Sequence, residues 1–330
     1  MNRDLVNDKQ QKRHPLSFPL IKGEYKGVAV VILLHFSSLA FAGISAKQSG
    51  EAGFSFLKIP MSARCAAMGQ AFTAMAQDAQ AFEYNPAAPA SLDEPQFWFS
   101  HLSYFEDINA ESANISYPGR YGAFSMHTSI FHSKDNYRDR SGTEGAEFRN
   151  QQLLFSAGHS VRLKSDILLG GSVKFVSEKL ENDETRNVAA DFGAFYTIPK
   201  TPISMGASIQ NIGSDGGLGS GKRPLPLLAR AGATYLIGAK TLFAVDAVQP
   251  LDEEIRFNSG IEYWAGSFFA VRAGFGLDRI VLEDYRGVTA GLGFSRHPFK
   301  IDYAFIPLSS LGMSHRVSLG ITWGSAPAAR

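Results

Sequence analysis

Downstream of about residue 96 the chain runs in segments of roughly ten residues in which apolar side chains alternate with glycine, serine or charged ones. From Gly287 to Phe294, Val288, Ala290, Leu292 and Phe294 point one way, and Gly287, Thr289, Gly291 and Gly293 point the other, because side chains in a strand repeat with period two. Likewise Phe269, Val271, Ala273, Phe275 and Leu277 oppose Arg272, Gly274 and Gly276. About fourteen such segments fit between residues 97 and 324, an even number as in bacterial single-chain barrels. Tight connectors, such as Pro199-Lys200-Thr201, Gly238-Ala239 and Ala265-Gly266, alternate with long polar ones starting at Ser133, Ser177, Asn211, Asp278 and Leu308. Short turns on one side and long loops on the other are what a membrane-spanning meander requires, whereas a soluble sandwich or propeller, the competing reading, has no need of them. The pattern predicts an all-β fold, a transmembrane antiparallel β-barrel over residues 97–324, with loops outside and both termini in the periplasm. In the last segment Val317, Leu319, Ile321 and Trp323 form the outward set, followed by a short tail, 325–330.

Two stretches break the alternation. The apolar run from Gly27 to Phe41 is preceded by basic residues, and Ala40-Phe41-Ala42 has the small-x-small form of a signal-peptide cleavage site. Residues 1–42 therefore read as a signal peptide, with a membrane anchor as the competing reading, and the mature chain is expected to begin near Gly43. Residues 43–96 read as a small helical plug. An Ala-rich helix is expected between about Ser62 and Ala76, capped by Ser62. Irregular backbone in a membrane barrel is tolerated only inside the lumen, where its polar groups find partners.

Composition narrows the chemistry. Lys and Arg number 32 against 31 Asp and Glu, so no net field favours nucleic acid. The 25 Phe, 11 Tyr and 3 Trp suit the aromatic girdles of a barrel whose outward partner is outer-membrane lipid, and an aromatic-rich soluble core is the bland alternative. The single cysteine, Cys65, has no disulfide or metal partner and reads as a small buried residue. Gly216 to Arg223 approaches a phosphate-binding loop, but Arg223 stands where the magnesium-binding hydroxyl belongs. The eight His lack metal-ligand spacing and no nucleophile elbow is present. No catalytic, cofactor-binding or metal residue is assigned, and a non-enzyme is expected.

If apolar residues face lipid, the opposite positions put Lys174, Asp191, Arg230, Asp246, Arg256, Glu262, Arg272, Asp302 and Arg316 in the lumen. Charges of mixed sign there are expected to pair and to seat the plug rather than to act as a selectivity element. Arg64, alone in an Ala-rich stretch, should seek Asp191, Asp246 or Glu262. Asn85-Pro86 reads as a turn, since proline fixes φ and biases the preceding residue away from helix. The barrel is expected to conduct little.

The non-alternating segment resembles the start of the PorV/PorQ family, a FadL-like group of bacterial outer-membrane proteins. The likeness rests on Gly53 to Pro60, on Ser62 to Gly69 including Arg64, Met68 and Gly69, on Asn85-Pro86-Ala87, and on Asp302 to Phe305 and Ser314 to Gly320. Cys65, Gln70 and Ala88-Pro89 depart from the family's pattern. The resemblance implies a fourteen-stranded barrel with an N-terminal plug in the outer membrane, and a role in type IX secretion. Its partners would be the C-terminal domains of secreted cargo proteins and secretion-system subunits, engaged by loops such as Asp135 to Glu147. The alternative it carries is a FadL-like transporter of hydrophobic small molecules.

Overall fold

A computed structural model describes residues 52–105, 108–138, 141–163, 166–217, 222–250, 252–277, 287–308 and 312–324. The expected signal peptide, the segment from Asp278 and the tail 325–330 lie outside the described residues. Fourteen strands form one closed antiparallel barrel: β1 (Gln96–Ser103), β2 (Asn109–Gly119), β3 (Gly122–Arg138), β4 (Glu144–Leu163), β5 (Ile167–Leu180), β6 (Asp183–Thr197), β7 (Ile203–Gly213), β8 (Leu228–Ile237), β9 (Thr241–Pro250), β10 (Arg256–Ala265), β11 (Phe269–Leu277), β12 (Val288–Arg296), β13 (Phe299–Pro307) and β14 (Met313–Thr322). Each strand pairs with its sequence neighbours, and β1 closes on β14 from Gln96↔Thr322 to Ser103↔His315.

The period-two pattern sorts as expected. Phe97 and Phe99 on β1, and Val317, Leu319 and Trp323 at the end of the chain, are exposed on the outer wall, while Trp98, Ser100, Leu102, Arg316 and Ser318 are buried inside. An apolar outer wall around a polar, filled interior is the arrangement a bilayer imposes, because a closed barrel leaves no backbone group unpaired toward lipid.

Two of the expected long loops are largely strand. β3 and β4 have 17 and 20 residues, so Asp135 and Glu147 sit on strands and not on a loop. The polar run from Ser177 continues β5 to Leu180 and begins β6 at Asp183. Polarity marked where the wall leaves the membrane, not where pairing ends. β3 to β6 thus rise above the rest of the rim as a four-stranded sheet.

The expected helix over 62–76 is a five-residue α-helix, Ala63–Ala67, flanked by 3₁₀ turns at Ser55–Lys58, Ala79–Glu83 and Ala88–Ser91. Ser62 caps it, its hydroxyl accepting from the Cys65 N–H at 3.2 Å. Gly69 and Gln70 then take φ of 60° and 68° and turn the chain out of helix. Ala content favours helix by a few tenths of a kcal/mol per residue, too little to hold a segment that must follow the inner wall.

Residues 53–95 fill the barrel from end to end. The Gly53 N–H donates to the Pro224 carbonyl on the loop side, and Pro95 accepts from the Trp323 N–H on the turn side. The plug lies against inward glycines of seven strands, its backbone directly over those of β5, β7, β10 and β11. A Cβ at Gly170, Gly193, Gly206, Gly232, Gly260, Gly274 or Gly291 would come within 2.0–2.5 Å of a plug atom or, at Gly232, of the carboxylate that holds the plug.

Candidate functional site

Arg64 sits at the centre of the lumen. Its Nε and Nη2 donate to Glu262 at 2.8 Å each, and its Nη1 donates to Asp78 at 2.8 Å. Arg272 donates to Glu262 at 2.5 Å and to Asp302 at 2.7 Å, which links plug, β10, β11 and β13 in one buried network. Of the three carboxylates expected for Arg64, the structure brings Glu262. Asp191 instead meets Lys174 at 2.7 Å. The Asp246 carboxylate accepts from the N–H groups of Phe72 and Thr73 at 2.9 Å each and from the Thr73 hydroxyl at 2.6 Å. Buried charges held in this way are costly to break singly, because removing one partner strands the other away from water.

Asn85 fastens the plug's second half. Its Nδ2 donates to the carbonyls of Thr73 and of Ala194 on β6, and its Oδ1 accepts from the Ala87 N–H. The turn closes as the Ala88 N–H donates to the Asn85 carbonyl, and Pro86 lies against Gly170 and Gly193. The Met68 side chain is fully buried, its carbonyl passes over Gly260, and the Gly69 N–H donates to the Thr289 hydroxyl at 3.1 Å. These positions seat the plug, and none presents a nucleophile or a paired acid and base to open space.

Four holding elements carried little sequence signal. Asp78 caps a 3₁₀ turn through Oδ1 while Oδ2 takes Arg64. Lys58 reaches Asp252 and Glu253, between β9 and β10, at 2.7–2.9 Å and clasps the plug's outer turn. Thr73 and the inward glycines complete the seat. The glycines were visible as the small members of each alternating run, but their meaning depended on what lies against them.

Two cavities lie among the described residues. The outer one, of about 230 Å³, lies on the loop side between the plug's first turn, the start of the β1–β2 connection, β3 and β4. Phe56, Ile59, Tyr104, Phe105, Ile108 and Phe131 give it apolar walls, and Ser133, Asn150 and Gln152 add a polar edge. The inner one, of about 40 Å³, has room for water only and is bordered by Glu83, His127, Lys174, Asp191 and Arg230. Phe56 and Phe131 border both, their rings 5.5 Å apart, and form the partition. Burial pushes the Glu83 carboxyl up to about 8 against the opposing pull of the Met61 N–H and Lys174. A polar chamber that shelters a carboxyl in its neutral form thus underlies an apolar one.

Among solved structures the fold is similar to the Pseudomonas putida toluene transporter TodX, with a TM-score of 0.56 and 12% identity over 84% of this chain and 98% of that one. It is similar to the Ralstonia pickettii toluene transporter TbuX, with a TM-score of 0.56 and 13% identity over 84% and 99%. A Pseudomonas aeruginosa FadL homologue matches with a TM-score of 0.56 and 11% identity over 85% and 99%. At such identities the likeness is one of fold, that of a FadL-type outer-membrane barrel. The type IX secretion role implied by the PorV/PorQ resemblance receives no support from these likenesses. In sequence, a UPF0164 protein of Treponema pallidum (strain Nichols) is 28% identical over 175 residues, 48% of this chain and 41% of the relative, so the match spans under half of that relative's length. The profile of UPF0164, described as an uncharacterised protein family, matches residues 35–221, more than half of the chain, and the chain belongs to that family.

Proposed function

We propose that this chain is an outer-membrane transporter that admits small hydrophobic molecules through its outer cavity. The observation that carries the reading is the 230 Å³ apolar chamber on the loop side, closed beneath by Phe56 and Phe131, in a barrel whose lumen the plug largely occupies. An apolar cavity of about 150 Å³ suffices for benzene, so the chamber holds one ring with substituents. A ligand entering from the loop side gains by desolvation at about 25 cal/mol per Å² of apolar surface. Its way inward runs past Phe56, on the turn that Lys58 holds to Asp252 and Glu253. The fold shared with toluene transporters supports this reading over the secretion role.

The test is expression in a Gram-negative host that lacks barrels of this fold, followed by uptake of radiolabelled toluene by intact cells. Faster uptake than in the empty host, slowed by the cavity-filling Ile108→Trp, is expected. Unchanged uptake with a folded, surface-exposed barrel would sink the proposal.

A further inference from the structure

The sheet that β3 to β6 raise above the rim sorts its charges by face. Period two and the pairing register divide it into a side toward the lumen axis and a side toward the surrounding lipid. On the lipid side Lys134 stands opposite Arg149, Lys179 stands between Gln151 and Glu184, and Arg186 stands opposite Ser177. Among the described residues no Lys or Arg of the raised part takes the lumen side. Asp135, Glu178 and Asp183 do, in register with Phe148, Gln152 and Leu180. A sheet wet on both faces has no reason of its own to sort charge in this way.

The height of the cations supplies one. Leu153, Phe175 and Val188, exposed and apolar, end the membrane band on β4, β5 and β6. Arg149 and Lys179 follow two outward positions later and Arg186 one, and on β3 Lys134 follows Ile130 by two. Four residues of a strand tilted by about 40° rise about 10 Å, and long basic side chains turn back toward the apolar boundary. The cations therefore reach the headgroup layer, with Lys134, Arg149 and Arg186 keeping 58, 73 and 64% of their side chains open. Glu147 meets Lys134 at 3.4 Å and Arg149 at 3.3 Å, and Glu184 meets Arg186 at 2.7 Å, so the cations of this side still exceed its acids by two. On the neighbouring β2, Glu111 lies beside His101 at 3.1 Å and His132 at 3.5 Å. The side chains of residues 138–140 lie outside the described residues, and by sequence Arg138, Asp139 and Arg140 add one net positive charge.

We infer that this patch holds the phosphate-bearing headgroup of an anionic lipid in the leaflet on the loop side, with the acyl chains lying along Leu153, Phe175 and Val188. Lys and Arg at headgroup level attract anionic lipid, whereas a zwitterionic headgroup offers them no net charge. The apolar wall directly beneath separates such a lipid from a soluble phosphate, which gains nothing there. The inference is independent of the transporter reading, since it concerns the outside of the wall.

The experiment is native mass spectrometry of the purified barrel in neutral detergent, offered phosphatidylglycerol and phosphatidylcholine in equal amounts and with identical acyl chains. A net positive charge at headgroup level is worth about fivefold in affinity for anionic lipid, so an excess of two predicts a preference of about 25-fold for phosphatidylglycerol as the first lipid bound. The quadruple variant Lys134→Gln, Arg149→Gln, Lys179→Gln and Arg186→Gln should abolish the preference. The double variant Glu147→Gln and Glu184→Gln should raise it at least another fivefold, an effect in the opposite direction that a merely structural role would not produce. Added sn-glycerol 3-phosphate at about 5 mM, the headgroup chemistry without chains, should displace nothing. Equal binding of the two lipids, a preference that survives the quadruple variant, a preference unmoved by the double variant, or displacement by glycerol phosphate would overturn the inference. If the quadruple variant fails to fold, the direction of change in the double variant still decides.

Discussion

Gly170 and Gly171 are neighbours on β5 with opposite surroundings, and they make a controlled test of how the plug is held. A Cβ at Gly170 would stand 2.1 Å from the Pro86 carbonyl oxygen and 2.7 Å from the Ala87 nitrogen. One at Gly171 meets nothing nearer than 3.5 Å, an ordinary contact. Gly170→Ala therefore forces the Asn85-Pro86-Ala87 turn back by about 1 Å, enough to open the 2.9 Å bonds from Asn85 to Thr73 and Ala194. Two buried groups stripped of partners cost about 1–3 kcal/mol each, so releasing the plug becomes easier by at least about 2 kcal/mol. The reporter is Cys65, the single cysteine, wholly buried in the plug, its thiol pushed up by burial and unreactive while the plug is seated. If labelling proceeds through plug release, about 2 kcal/mol means about 30-fold faster modification by a charged maleimide. Gly171→Ala should label like the wild type, and both variants should keep the heat-modifiable electrophoretic mobility of a closed barrel. Equal labelling rates in the two variants would refute the idea that close backbone approach seats the plug.

Further outcomes follow from the same geometry. Glu262→Gln leaves Arg64 with Asp78 and Arg272 with Asp302 as their sole carboxylate partners among the described residues and should cost about 3 kcal/mol, read as a lower temperature for loss of the compact electrophoretic form. Lys58→Met frees the outer turn from Asp252 and Glu253 and should speed Cys65 labelling, an effect that in the wild type high salt imitates only weakly because the Lys58–Asp252 pair is largely buried. Glu83 has a folded value raised to about 8, so its stabilising contribution is full below the ordinary carboxylate range and is lost as pH rises through about 8. The wild-type barrel should lose heat resistance as pH rises from about 5 to about 8 and lose no more on this account above that, whereas Glu83→Gln should show a flatter profile. In planar bilayers the wild type should give no large, steady currents, and Gly170→Ala should give intermittent ones.

Most of the wall was legible because a bilayer outside and a polar lumen inside leave each side chain only two environments, which period two reports directly. Val288, Ala290 and Leu292 needed no tertiary knowledge to be placed. Strand ends were less legible on β3 and β4, because above the membrane both faces of the sheet are wet and Asp135 or Glu147 reads like loop. The plug was legible as an exception to the pattern but not as a path. That Arg64 takes Glu262 while Asp246 takes backbone N–H groups is decided by which turn of the plug reaches which strand. The outer cavity left no trace in the sequence at all. Its walls come from four separated stretches, around Phe56, Tyr104, Phe131 and Asn150, which only the closed barrel brings together.

The tall sheet of β3 to β6 has an open side. Among the described residues, β2 pairs with β3 no further than Asn109↔His132, whereas β3 continues to Arg138 bonded to β4. An unpaired strand border of this length is an invitation for a second chain to add itself. Here the border carries Lys134 and Asp135, of opposite sign and side by side, so a like copy laid along it in parallel register would set each charge against its own kind. The raised part of the rim is thereby discouraged from zipping to its neighbours in a crowded membrane, and replacing both charges with threonine should show as sodium dodecyl sulfate-resistant ladders of barrels.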